Sequence, residues 1–202
     1  NLTVNNKSDD GFTAGSVIEV NKSYSNNAKR IVNPQNIVLK YISQVDREDK
    51  GSVTIGDTLT VKEGKTYTVW GDMTVNSGAK VIVENGAKLI VNGTLVCNGT
   101  LDISGTMTVK GDADFNSATV NADGLIVLKG DVSVTNGTWN KPNISISGSL
   151  NQTISGSSIN VGEFYVINKS NSVSVNNEIN VYTLFERDCK NIKNEANIHI
   201  MY

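Results

Sequence analysis

The sequence predicts an all-β protein built as a single-stranded parallel β-helix, a solenoid of short strands stacked rung on rung. Three observations carry that expectation. The first is a run of six-residue blocks: Leu89-Ile-Val-Asn-Gly-Thr94, Leu95-Val-Cys-Asn-Gly-Thr100, Leu101-Asp-Ile-Ser-Gly-Thr106 and Met107-Thr-Val-Lys-Gly-Asp112. The second is composition: 38% of residues are hydrophobic and only 6% aromatic, which suits a thin core of Val, Ile and Leu better than a thick one of Phe and Trp. The third is the load of Asn, Thr and Ser with 18 glycines against two prolines, which favours many short strands and turns.

Within each block the first and third residues are apolar, the spacing of a strand with one buried face, and the fifth is Gly, which tolerates a left-handed corner. Each block is therefore a strand followed by a turn. The unit recurs less regularly in Gly78-Ala-Lys-Val-Ile-Val-Glu-Asn-Gly86-Ala-Lys-Leu-Ile-Val91 and in Gly124-Leu-Ile-Val-Leu-Lys-Gly130-Asp-Val-Ser-Val134. Strands this short are not stable as isolated hairpins, and one apolar face per strand must meet others. Three strands with their corners make a rung of about 18 to 22 residues, and stacked rungs bury the Leu, Val and Ile ladders. Residues 51–185 then supply about six or seven rungs. An antiparallel sandwich or barrel, the competing fold, uses longer and more widely spaced strands. The varying glycine spacing, as at Gly71, Gly78, Gly86, Gly93 and then Gly111 to Gly124, suits a right-handed coil better than a left-handed hexapeptide helix. Asn85, Asn92, Asn98, Asn121 and Asn136 flank corners, where Asn adopts left-handed geometry or ladders between rungs.

A solenoid needs protected ends. Residues 1–50 are expected to form an N-terminal cap. Asn33-Pro34 reads as a helix start, with Ile37, Tyr41 and Val45 at helical spacing, but the β-branched Ile31, Val32, Ile37 and Val38 equally suit a strand. Residues 186–202 are expected to close the coil, with Ile198, Ile200 and Tyr202 alternating after the polar Glu186-Arg-Asp-Cys-Lys190.

Charge and motif content narrow the function classes. A formal net charge of -2 offers no basic excess for a phosphate backbone, so nucleic acid is not an expected partner. No apolar run reaches the roughly 20 residues of a membrane-spanning helix. The N-terminal residues lack the pattern of a signal peptide, and a start at Asn1 is compatible with one having been removed. Cys97 and Cys189 have no metal-ligand spacing, and Cys97 falls on a buried repeat position, so both are expected as free thiols rather than a disulfide.

The phrases Gly86-Ala-Lys-Leu-Ile-Val-Asn-Gly-Thr-Leu95, Gln152-Thr-Ile-Ser-Gly156, Phe164-Tyr-Val-Ile-Asn-Lys169 and Val173-Ser-Val-Asn-Asn-Glu-Ile-Asn-Val181 resemble the secreted and cell-surface β-helical proteins of bacteria, especially adhesin-like repeats of Bacteroidetes. The resemblance covers about half the chain. It implies an extracellular or bacterial cell-surface location and brings no catalytic motif with it. Bactofilins, which polymerise end to end, also use short Gly-spaced strands, but the long N-terminal segment departs from their plan.

The expected function is therefore a non-catalytic structural or adhesin-like module with surface glycans or host and matrix proteins as partners, and with no cofactor or metal. Polysaccharide hydrolysis needs two carboxylates facing one substrate, and β-elimination needs a base with charge neutralisation. The adjacent pairs Asp9-Asp10 and Glu48-Asp49 lie outside the repeat and read as solvated charge; Arg30, Arg47 and Arg187 also lie outside it, and His199 sits in an alternating Ile-His-Ile context as an outward side chain. Asp112 and Asp114 share a strand face only if their block is regular. Carbohydrate binding is the alternative, with Trp70 and Trp139 as stacking platforms, although each could instead cover a corner. An ice-binding hydroxyl array at Thr94, Thr100 and Thr106 is disfavoured, because six-residue steps put these on successive sides of a rung.

Overall fold

The computed structural model describes residues 2–5, 11–20, 24–26, 28, 31–33, 36–39, 42–43, 46–169 and 171–202. They form a parallel β-solenoid of about eight turns, with no α-helix among the described residues. One rung shows the plan. Met73–Val75 lies in a ten-stranded sheet (sheet one), Lys80–Val83 in a six-stranded sheet (sheet two) and Lys88–Val91 in a nine-stranded sheet (sheet three), after which Leu95–Cys97 returns to sheet one beside Met73–Val75.

Inward positions stack like on like. Leu59, Val81, Leu101, Val120 and Trp139 form one buried column in sheet two. Tyr67, Leu89, Met107, Ile126, Ile144 and Phe164 form another in sheet three. Cys97 occupies the sheet-one column between Val75 and Phe115, fully buried, and both cysteines are free thiols. The narrow core thus runs the length of the coil, as its aliphatic composition requires.

Rung length follows corner length. Leu89 stacks on Tyr67, 22 residues earlier, whereas Met107 stacks on Leu89 after 18. The four-residue corners at 76–79 and 84–87, with left-handed Gly78 and Gly86, are replaced in the next rung by two-residue corners at 98–99 and 104–105. The third corner is held by a glycine column, Gly51, Gly71, Gly93, Gly111 and Gly130. The amides of Gly71, Gly93 and Gly111 each donate to the carbonyl of the preceding glycine at 3.1–3.3 Å. A Cβ on Gly111 would lie 2.6 Å from the Gly93 carbonyl oxygen, so this corner admits no larger residue without rung displacement.

Within residues 1–50, Ile18–Val20 and Ile37–Leu39 lie in sheet one, and Ile42–Ser43 and Arg47–Asp49 lie in sheets two and three. Of the two readings of residues 31–45, Ile31–Val32, Ile37–Leu39 and Ile42–Ser43 take the extended one, as their β-branched side chains favour, while Asn33 is left-handed and accepts from the Asn36 amide in a single tight turn; Pro34, Tyr41 and Val45 lie outside the described residues. At the other end Asn191–Lys193 and Ile198–Ile200 are the last strands of sheets one and three. These additions explain why the coil exceeds the six or seven turns expected of 51–185. In the last two turns the corner between sheets two and three opens out, and Ile159–Val166 runs across it as one strand with a register shift at Val161/Glu163.

Candidate binding surfaces

Outward polar side chains at the corners are tied to neighbouring rungs. Asp72 Oδ1 accepts from the Thr94 amide at 2.8 Å, Asp112 Oδ1 from Asp131 at 2.9 Å, and Asp131 Oδ1 from Thr153 at 2.7 Å. On sheet two, Asn140 donates to Asn121 and Asn121 to Asp102, both at 2.6 Å, while Lys80 pairs with Asp102 from the rung before. The Asp102 carboxyl sits below its ordinary range: burial pushes it up, and the Lys80 and Asn121 hydrogen bonds outweigh that push. Asn180 donates to Asn160 at 3.0 Å further along, and Asn136 adopts a left-handed φ of 51°. Corner asparagines therefore ladder or turn, as their positions suggest.

The adjacent carboxylates Glu48 and Asp49 point to opposite faces of their strand. Glu48 faces outward, accepting from Lys50 at 2.5 Å and from the Trp70 indole at 3.2 Å. Asp49 is not solvated: it is fully buried and holds Arg47 through two hydrogen bonds of 2.9 and 3.1 Å and the Tyr67 hydroxyl at 2.6 Å. Strand alternation separates two carboxylates that sequence proximity placed together. Burial pushes the Asp49 carboxyl up, and the Arg47 guanidinium and Tyr67 hydroxyl offset only part of that shift. Asp112 sits at a corner and Asp114 within Ala113–Asn116, so these two share no strand face. Asp9, Asp10 and Arg30 lie outside the described residues. His199 is exposed, stacked on Asn180, and Arg187 pairs with Glu195.

The two tryptophans part company. Trp70 is 49% exposed, with the Lys50 ammonium 4.7 Å from its ring centre. Trp139 is only 5% exposed and packs edge-on against Phe115 at 5.0 Å, so it fills the core where sheet two shortens and presents no stacking face. A Gly-Thr-Trp-Asn context looks like a corner in sequence; the register Val120 to Trp139 makes it an inward position. Thr94, Thr100 and Thr106 fall on three different sides of the rung and form no hydroxyl array.

Several grooves interrupt the described surface, and two of them have volumes near 500 Å³. One, of about 480 Å³, lies beside the glycine column between Lys110, Lys129 and the projecting corner at Ser147–Asn151. The other, of about 500 Å³, runs along the corner between sheets two and three and is lined by Asn85, Lys88, Asp123, Asn143, Glu163 and Tyr165 with the backbone of Gly105 and Gly124. Asn143 knits its far wall: its Oδ1 accepts from the Glu163 amide at 2.9 Å and its Nδ2 donates to the Asp123 carbonyl at 3.1 Å. The Tyr165 hydroxyl donates to Glu163 at 2.7 Å, which raises the phenol above its usual range. Only the register between rungs brings these six residues together, and no local sequence motif announces them. Among the described residues no cluster of His, Cys, Asp and Glu has the arrangement of a metal site.

No protein-family description matches the chain, and neither a curated protein nor a solved structure matches it.

Proposed function

We propose that the chain is a non-catalytic structural module of an extracellular or bacterial cell-surface protein, adhesin-like in that its outer faces meet glycans or host and matrix proteins. The observation that carries this reading is the use of outward polar groups between rungs. Asp72, Asp112, Asp131, Asp102, Asn121 and Asn140 spend hydrogen bonds on neighbouring turns of the coil, which stiffens a rod suited to presenting a surface. The test is to coat beads with the chain and measure their retention on immobilised glycans, mucin and matrix proteins, while following the same polysaccharides in solution for new reducing ends or unsaturated products. Retention without product supports the reading. Product formation, or retention on none of the surfaces, overturns it.

Sugar recognition at Trp70 is a second reading, favoured by the exposure of that indole beside Glu48 and Thr68. Its weakness is physical: Lys50 already occupies space over the ring.

A further inference from the structure

We propose that the groove between sheets two and three binds a neutral oligosaccharide lying along the coil axis, with Tyr165 as its stacking ring and Asp123, Glu163 and Asn143 as its polar contacts. The proposal gives the surface module described above a ligand class and a site, and to that extent rests on that reading.

The groove has the right length and direction. The stacking sequence Lys88, Thr106, Leu125, Asn143 and Glu163 crosses five successive rungs, so four inter-rung steps of about 4.8 Å give roughly 19 Å. Its opening is built by corner length: the four-residue corner at 84–87 is followed by the two-residue corner Ser104-Gly105, and Gly105 and Gly124 let the short corners stack closely, since a Cβ on Gly105 would lie 2.3 Å from the Ala87 carbonyl oxygen and one on Gly124 2.0 Å from the Gly105 carbonyl oxygen.

The lining selects the ligand. A peptide would dock by adding a strand, but the amides along the floor are already spent between rungs: Thr106 donates to Ala87, Leu125 to Gly105 and Asn143 to Ala122, at 2.9–3.1 Å. An anionic polymer would meet the carboxylates of Asp123 and Glu163 against the single ammonium of Lys88. A neutral polyhydroxylated chain suits the same groups, since carboxylates accept from hydroxyls, amides both give and accept, and an aromatic face covers the apolar face of a sugar ring. The bond from Tyr165 to Glu163 fixes that ring before ligand arrives, and Asn143 fixes the wall that carries Glu163.

The test is calorimetric titration of the full 202-residue chain with xylo-, cello- and manno-oligosaccharides and with oligogalacturonate, repeated on Tyr165→Ala, Glu163→Gln and Trp70→Ala, each checked by circular dichroism for an intact fold. The proposal expects saturable binding of at least one neutral oligosaccharide, weakened about tenfold or more by Tyr165→Ala and by Glu163→Gln but unchanged by Trp70→Ala, with oligogalacturonate bound more weakly. Because Tyr165 faces outward, its removal leaves the core columns intact; a Ser104→Trp variant, which places bulk in the groove, should abolish binding independently. Absence of binding to all neutral oligosaccharides, preference for oligogalacturonate, or loss of binding in Trp70→Ala but not in the groove variants overturns it. Bead retention on matrix proteins is indifferent to these results, so the groove can fail while the surface-module reading stands.

Discussion

Asp49 shows how a single residue can carry a whole corner of the core. Its carboxylate is enclosed with the Arg47 guanidinium and the Tyr67 hydroxyl, and Arg47 also lies 5.7 Å from the Tyr67 ring centre. Removing the buried carboxylate leaves the Arg47 guanidinium, whose side chain is only 12% exposed, charged and poorly solvated, so Asp49→Ala should cost about 3 kcal/mol, read as a lowered urea midpoint. Its pH dependence has a definite sign. A carboxyl whose folded pKa is raised binds its proton more tightly in the folded state, so its contribution is present below the unfolded pKa and is lost as pH rises through the folded one. Asp49→Asn removes that titration while keeping an acceptor for Tyr67. The melting temperature of the variant relative to the parent should therefore climb as pH is raised through the acid range; a flat or falling difference would contradict the direction assigned to Asp49. Cys97 makes a second prediction at this scale. Burial pushes its thiol up to about 11, with the Gly99 carbonyl as a nearby partner, while Cys189 is partly exposed. A maleimide should label Cys189 in the native protein and reach Cys97 only after denaturation.

Strands and corners were unequally visible in the sequence. The inward columns were legible because alternation and a six-residue period report directly on side-chain direction, and Val91, Cys97 and Ile103 are buried as that period requires. Corners were less legible because their role depends on the neighbouring rung. Gly64 and Gly93 look alike in sequence, yet a Cβ on Gly64 meets nothing within 4 Å and suffers only from its φ of 69°, whereas on Gly93 it would lie 2.3 Å from the Asp72 carboxylate and 2.7 Å from the Gly71 carbonyl oxygen. Gly64→Ala should thus cost about 1 to 2 kcal/mol from left-handed strain alone. Gly93→Ala, which forces two rungs apart, should cost more in the same urea titration, and equal losses would refute the glycine column as a packing device. Gln152 was likewise hidden inside an apparently ordinary strand. It is buried, donates to the carbonyls of Leu128 and Gly130 at 3.2 and 2.9 Å, and accepts from the Gly148 amide at 2.6 Å, closing the wide corner that makes its rung 22 residues long. Gln152→Leu keeps comparable bulk but strands those groups, at about 1 to 3 kcal/mol for each one left unsatisfied. The groove at Tyr165 was invisible for the same reason, since its walls come from residues about 20 apart that only the stacking register aligns.

On the scale of the whole molecule, contacts in the coil span one rung at a time: each strand pairs only with the strand one rung before and one rung after it. Stability is then a sum of rung energies and nearest-neighbour interfaces, and the least protected strands are those with a single neighbour or a shortened ladder. Thr106–Val109 is paired on both sides along its full length, with four register partners in each direction, and its neighbours carry the buried Leu89 and Ile126 columns. Ile198–Ile200 pairs only with Ile179–Val181 and leaves Ile200 half exposed. Hydrogen exchange of the 202-residue chain should accordingly grade along the axis, with the amides of Thr106–Val109 among the slowest and those of Ile198–Ile200 exchanging by local fraying at mild denaturant. Added urea should erode protection from that end inward before the central rungs open. If all strands instead lost protection together at one urea concentration, the interfaces between rungs would outweigh the rungs themselves so strongly that the coil opens as one cooperative body, and the expectation of fraying from the end inward would be wrong.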